Sequence, residues 1–223
     1  ALGKCRICNR PLSDPAHAAA GIGPCCASKA ASAGSATDAG EEQAEAATVP
    51  VSQREGYDSD EWYTPAMYIE AARLVLGEIE LDPASCSLAN TVVKAARYID
   101  KAHDGLRLAW CTGALWLNPP YSESAAWVAK LLAEFDEERT DAAIVLVNNA
   151  TETQWFQSLL RRFPVCFPQG RVIFWRDDFN RDDDKKGAGA RQGQALFLLT
   201  RDRAQMGNFT AAFGQFGPVL WVK

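Results

Sequence analysis

The sequence predicts an α/β fold, one sheet with crossover helices, confined to residues 57–223. Three observations carry this. All seven Trp, five Tyr and ten Phe lie from Tyr57 onward, and a segment of 56 residues without aromatics cannot build much core. Beyond Tyr57, apolar strand-like runs alternate with stretches of helical spacing, the pattern of a sheet with crossover helices. Residues 142–147 are apolar without interruption, as expected of a central parallel strand buried on both faces.

The elements follow in order. Pro65 suits the first position of a helix, and Met67, Ala71, Leu74 and Val75 follow it at helical spacing. Residues 78–81 read as a short strand ending at Asp82-Pro83. Residues 114–117 read as another, stopped by Asn118-Pro119-Pro120-Tyr121. Ala125, Val128, Ala129, Leu132 and Phe135 then recur as one helical face, and Trp155, Phe156, Leu159 and Leu160 mark a further helix. Residues 172–175, 195–199 and 219–222 are the remaining strand candidates. Residues 176–194 interrupt the pattern with Arg176, Arg181, Lys185, Lys186, Arg191, five Asp and three Gly. They read either as a solvated surface loop or as one that orders on a polyanionic partner.

Composition excludes several classes. No run approaches the 18–20 apolar residues of a membrane-spanning helix, and the N-terminus lacks the pattern of a secretory signal. Seven cysteines, two of them adjacent (Cys25 and Cys26), suit thiols in a reducing cytoplasm better than a disulfide framework. Cys86, Cys111 and Cys166 lie in apolar stretches and read as core residues; His103 reads as structural. A net charge of −5 argues against nucleic-acid binding through bulk charge. The charge is unevenly spread, however. Residues 57–160 carry seven basic and sixteen acidic groups, whereas residues 161–203 carry ten basic and six acidic. A basic end on an acidic body can touch a phosphate backbone locally. Residues 30–56, rich in Ala, Ser, Gly and Glu without periodicity, read as a disordered linker. As a flexible coil it spans roughly 30 Å.

The chemistry concentrates at Asn118-Pro119-Pro120-Tyr121. In an open α/β sheet, ligands bind beyond the carboxyl ends of strands, where this tetrapeptide falls. Two consecutive prolines withhold two backbone donors and leave carbonyl oxygens. Asn118 adds a side-chain acceptor and Tyr121 a flat π surface. The set suits a planar ring bearing an exocyclic NH2. Accepting both N–H groups draws the nitrogen toward sp3 geometry and localises its lone pair, so that it can attack an electrophilic methyl in line. No base is needed first, because the proton leaves afterwards. This is catalysis by positioning and electrostatics.

On these residues the chain resembles a known family. Residues 57–200 are similar to the phage-type DNA adenine-N6 methyltransferases, a Dam-like branch with a Rossmann-like, S-adenosylmethionine-dependent sheet. The resemblance runs through Glu61-Trp62-Tyr63-Thr64-Pro65, Leu81-Asp82-Pro83-Ala84-Ser85 with Ala89-Asn90, and Asp104-Gly105-Leu106 with Trp110. It continues through Leu117 to Tyr121, Thr151 with Trp155-Phe156, and Gly170-Arg171-Val172-Ile173-Phe174. It implies that Asn118 and the Pro119 carbonyl hold the amine of adenine, with Pro120 in the same catalytic segment and Tyr121 stacked on the flipped base. It implies a cofactor pocket of Trp62, Tyr63, Thr64, Pro65, Asp82, Pro83, Ala84 and Ser85, with Asp100 or Asp104 on the ribose. Flipping costs a few kcal/mol, and stacking returns about 1–3 kcal/mol. Arg161, Arg162, Arg171, Arg176, Arg181, Lys185, Lys186 and Arg191 form the pool for phosphate contacts with duplex DNA.

Residues 1–29 form a cysteine-rich head. Cys5-Arg6-Ile7-Cys8, Arg10-Pro11-Leu12 and Gly21-Ile22-Gly23-Pro24-Cys25-Cys26 resemble small zinc-ribbon-like modules of phage and actinobacterial proteins. The expected ligands of a structural Zn2+ are Cys5, Cys8, Cys25 and Cys26. On the resemblance Cys26 is the matching ligand, and His17 or water completes the shell. Bound zinc can order a segment that has no core; the alternative is a disordered head with free thiols.

The leading expectation is a monomeric or weakly dimeric cytoplasmic enzyme, in a bacterium or its phage-infected host, that methylates adenine N6 in DNA. An alternative amine acceptor (N4 of cytosine, rRNA guanine or protein glutamine) poses the same geometric problem, and a non-catalytic DNA-binding relative would share the fold.

Overall fold

The structure is a computed structural model that describes residues 19–21, 62–175 and 192–221. The chain divides into two units, Ala1–Tyr57 and Asp58–Lys223. The expectations for the cysteine head, for the linker and for Arg176, Arg181, Lys185, Lys186 and Arg191 lie outside the described residues.

The second unit is a mixed α/β fold around a seven-stranded sheet. Its strands are β1 (Leu81–Asp82), β2 (Arg97–Tyr98), β3 (Thr112–Leu117), β4 (Thr140–Asn148), β5 (Val165–Cys166), β6 (Gln194–Thr200) and β7 (Val219–Leu220). Their order is β2-β1-β3-β4-β6-β5-β7. The first four pair in parallel; β6, β5 and β7 add antiparallel. The apolar run at 142–147 is therefore central, as expected, but parallel only to β3 and antiparallel to β6. Burial on both faces produces such a run in either orientation.

Among the described residues the unit also holds helices α1 (Ala66–Leu76), α2 (Ser87–Val93), α3 (Ser124–Asp136), α4 (Gln154–Leu160) and α5 (Arg203–Phe213). Side chains alternate across the strands and build a core on each face. Trp116, Ile144, Leu146, Leu196 and Leu198 meet Ile69, Ala72, Phe209 and Phe213 of α1 and α5 on one side. Leu115, Leu117, Val145, Val147 and Phe197 meet Val128, Leu131, Phe156 and Leu159 of α3 and α4 on the other.

Several expected elements shift. Pro65 caps α1 from outside the helix rather than opening it, its carbonyl accepting from Tyr68 N at 3.1 Å. Met67 and Leu74 are exposed, and the buried stripe is Tyr68, Ile69, Ala71, Ala72 and Val75. On α3 the face is likewise rotated: Trp127 and Leu131 are buried while Ala125 and Ala129 are exposed. Alanine is small enough to lie on either side of a helix, so it marks a face poorly. The 172–175 segment is no ladder strand; Trp175 forms an isolated antiparallel bridge with Tyr63.

Candidate active site

The chain runs from β1 outward to β2 and then returns to β3 on the other side of β1. Such a reversal opens a crevice beyond the carboxyl ends of the two strands. Asp82 ends β1, and Asn118 follows the last residue of β3. A cavity of about 480 Å³ opens there, lined by Trp62, Tyr63, Thr64, Asp82, Pro83, Ala84, Ser85, Asp100, Asp104, Asn118 and Pro120, and also by Ile99, Lys101, Gly105, Leu106, Ser122, Glu123 and Trp127. Of the expected site residues, Pro65, Pro119 and Tyr121 do not line it.

The 62–64 segment is held at this end of the sheet by the bridge to Trp175. Tyr63 N donates to Trp175 O at 3.0 Å, Trp175 N donates to Tyr63 O at 3.1 Å, and Trp175 Nε1 donates to Thr64 O at 3.0 Å. The Tyr63 and Trp175 rings meet edge to face at 4.9 Å. The segment in turn fixes the Asn118 amide, whose Nδ2 donates to Trp62 O at 2.7 Å. That bond decides which way the amide faces. Asn118 Oδ1 is left buried without a hydrogen-bonding partner, as are Thr64 Oγ1, Ser85 Oγ and Trp127 Nε1. All four belong to residues lining the cavity. Buried polar atoms ordinarily find partners, so a cluster of unmet ones in one pocket is the mark of a polar ligand.

Asp82 is 2% exposed. Burial raises its pKa from 3.8 to about 7, and the Ala84 N–H, 3.3 Å from Oδ1, offsets part of that rise. A carboxyl poised near neutrality in a pocket suits a cationic ligand, whose charge favours the ionised form.

Asp100 and Asp104 both line the cavity but are engaged differently. Asp104 has φ +51° and folds its carboxylate back onto its own turn, to Leu106 N at 3.1 Å and Arg107 Nε at 3.1 Å. Asp100 lies two residues past β2 and contacts His103 through one oxygen, with Nδ1 at 2.6 Å. That hydrogen bond lowers its pKa. His103 thus has a carboxylate partner beside the cavity. Gly105 is required by close approach: a Cβ there would sit 2.1 Å from Pro83 O and 2.8 Å from the Trp127 ring.

Tyr121 is packed beside the cavity rather than in its wall. Its hydroxyl donates to Gln194 Oε1 at 3.0 Å, and its ring meets Phe174 edge to face at 6.0 Å. Burial raises its pKa well above the ordinary value. Gln194 Nε2 donates in turn to Asn148 Oδ1 at 2.7 Å. Gln194 opens β6 opposite the end of β4, and sequence reasoning gave no signal for it.

The cysteines separate. Cys166 is fully buried with its thiol pushed up to about 12 by burial, and Cys111 is also buried. Cys86 is not a core residue. It caps α2, its sulfur accepting from Ala89 N at 3.4 Å and lying 3.4 Å from the Tyr63 hydroxyl.

Of the expected phosphate contacts, Arg161 and Arg162 follow α4 and are exposed, and Arg162 pairs with Asp136 at the end of α3. Arg171 is exposed on the segment leading to Phe174 and Trp175.

Residues 51–213 match the DNA N-6-adenine-methyltransferase (Dam) family. The chain belongs to that family. The chain is also 25% identical over 159 residues to a DNA N-6-adenine-methyltransferase of Haemophilus phage HP1, covering 70% of this chain and 87% of the relative. Within this Dam-family chain, residues 1–31 match a separate family of unknown function (DUF6011). Among the described residues of the Dam-family chain, no cluster of three His, Cys, Asp or Glu could hold a metal, and no helix is long and apolar enough to cross a membrane.

Proposed function

We propose that the chain is a site-specific DNA methyltransferase that moves a methyl group from S-adenosylmethionine to N6 of a flipped adenine. One observation carries the reading: Asn118, which lines the cavity, has Nδ2 bonded to Trp62 O and Oδ1 left as an unmet acceptor. S-adenosylmethionine supplies an electrophilic methyl on a sulfonium. Asn118 Oδ1 and the Pro119 carbonyl accept the two hydrogens of the adenine amine and localise its lone pair. In a water-poor pocket, such fixed acceptors need no reorganisation as positive charge develops on the nitrogen. The amine loses its proton after the transfer.

The remaining groups hold the two substrates. Asp82 sits where a cationic methionine moiety would offset its buried charge. Thr64 Oγ1 offers a further polar contact. Asp100 suits the ribose better than Asp104, whose two oxygens are taken up by its own turn. Tyr121, steadied by Gln194, supports the flipped base from beside the cavity. Arg171 and the basic residues of 176–191 are the pool from which contacts to the duplex backbone would come. For the head, Cys5, Cys8 and Cys25 or Cys26 would bind a structural Zn2+. A metal assay of the purified chain tests this, and one that finds no zinc overturns it.

Incubation with methyl-labelled S-adenosylmethionine and unmethylated duplex DNA, followed by digestion to nucleosides, tests the activity. The expected product is N6-methyl-2′-deoxyadenosine. Label in cytosine, RNA or protein instead would reassign the acceptor.

A further inference from the structure

Trp127 lies in the first turn of α3 and is 6% exposed. Its ring is locked on two sides. It stacks on Trp110 with centroids 5.8 Å apart and planes 21° apart, and it closes against Gly105 so tightly that no Cβ fits there. Trp110, in the same stack, has its donor satisfied, Nε1 donating to Gly105 O at 2.8 Å. Trp127 Nε1 is buried with no partner. An indole N–H can only donate, and a rigid, buried, unpaired donor in a cavity wall is built for an acceptor that arrives with a ligand.

Its surroundings narrow that acceptor. Trp127 lines the cavity together with Gly105 and Leu106, Gly105 lying against the Cη2–Cζ3 edge of its ring, and these residues follow the loop that begins with Asp100 beyond β2. This wall has a carboxylate for hydroxyl groups, an aliphatic flank for a flat ring and one buried, unpaired N–H donor. The methionine end of the cofactor presents an ammonium and a sulfonium, which suit Asp82, and a carboxylate, whose claim on the donor is separated by a ligand that lacks the amino-acid portion. We propose that Trp127 Nε1 donates a hydrogen bond to an acceptor atom of the adenosyl group, a ring nitrogen or a ribose oxygen. The proposal rests on the reading of this cavity as the S-adenosylmethionine site.

Trp127→Phe keeps an aromatic ring in the stack and removes only the donor. Calorimetric titration of the full chain with S-adenosylhomocysteine and with 5′-methylthioadenosine, which lacks the amino-acid portion, reads the contact. The variant should lose about 5- to 10-fold in affinity for both ligands, the size of one hydrogen bond. In nitrogen–proton correlation spectra of the wild-type chain, one of seven indole signals should disappear in the variant. That signal should also move on adding either ligand to the wild type. If the variant fails to fold, the signal can be assigned in the wild type through its proximity to Trp110, and its movement alone decides the matter. Equal affinities for wild type and variant, or an indole signal that stays put while the ligand binds, overturn the proposal. A loss confined to S-adenosylhomocysteine moves the donor to the methionine end and also overturns it. A wild-type chain that binds neither ligand refutes the cofactor reading of the cavity instead.

Discussion

Asp82→Asn should stabilise the ligand-free protein at neutral and alkaline pH while weakening its hold on a cationic cofactor. The wild-type carboxyl ordinarily ionises near 3.8, but burial holds it to about 7. Between those values the unfolded chain has released a proton that the folded chain still keeps. Stability is therefore full below about pH 4 and is lost as pH rises to about 7, beyond which the loss is constant. At about 1.4 kcal/mol per unit, the whole interval costs on the order of 4 kcal/mol. Asparagine keeps the shape and an oxygen for the Ala84 N–H, yet carries no charge to desolvate. Urea unfolding of both proteins at pH 5 and pH 7.5 reads the difference directly. The stability gap in favour of the variant should widen by about 3 kcal/mol between the two pH values. Adding S-adenosylmethionine should narrow the gap at pH 7.5, because the ligand's positive charge stabilises only the wild-type carboxylate. A gap that stays constant between pH 5 and pH 7.5 would refute the argument, since it would mean that Asp82 is already ionised in the folded chain at pH 5.

Three further outcomes are expected. Asn118→Ala should bind S-adenosylhomocysteine within about 3-fold of wild type while methyl transfer to DNA falls at least 100-fold, the scale of losing one fixed electrostatic contact; single-turnover assays beside calorimetry separate the two. Gly105→Ala should lose about 1–3 kcal/mol of stability through overpacking and weaken cofactor binding, because the displaced neighbours, Pro83 and Trp127, both line the cavity; thermal unfolding with and without ligand checks it. Gln194→Leu strands the buried Tyr121 hydroxyl, so it should cost about 1–3 kcal/mol. In DNA carrying 2-aminopurine at the target adenine, it should also diminish the fluorescence rise on base flipping with cofactor affinity unchanged.

Much of this architecture is legible in the sequence because burial leaves periodic marks. β4 is apolar for six residues since both of its faces are covered, and the strand-stopping Asp82-Pro83 and Asn118-Pro119 pairs mark where β1 and β3 end. Strands of two residues, such as β2 and β5, are too short to carry any period. α5 leaves only a weak periodic mark because Arg203, Gln205, Asn208 and Thr210 dilute its apolar face, although Asp202 caps it through Ala204 N at 2.8 Å. Strand direction is decided by the connection between strands rather than by their composition, so the antiparallel half of the sheet left no trace. In the site, the named motifs converge, but partners distant in sequence do not announce themselves. Gln194 reaches Tyr121 only because β6 begins where β4 ends. Trp127 reads as one more apolar residue on a helix until its neighbours leave its N–H unmatched.

The bond from Asn118 to the Trp62 carbonyl has a consequence for which bases the pocket admits. An asparagine amide can turn over, exchanging acceptor for donor at nearly the same position. Trp62 forbids that exchange, because the reversed amide would set two oxygens against each other at 2.7 Å. Hypoxanthine, the deamination product of adenine, carries an oxygen where adenine carries its amine. It would meet the fixed Oδ1 as one acceptor facing another. On the proposed role of Asn118, a deaminated target site would thus be refused at the pocket by a backbone carbonyl 56 residues away in the chain.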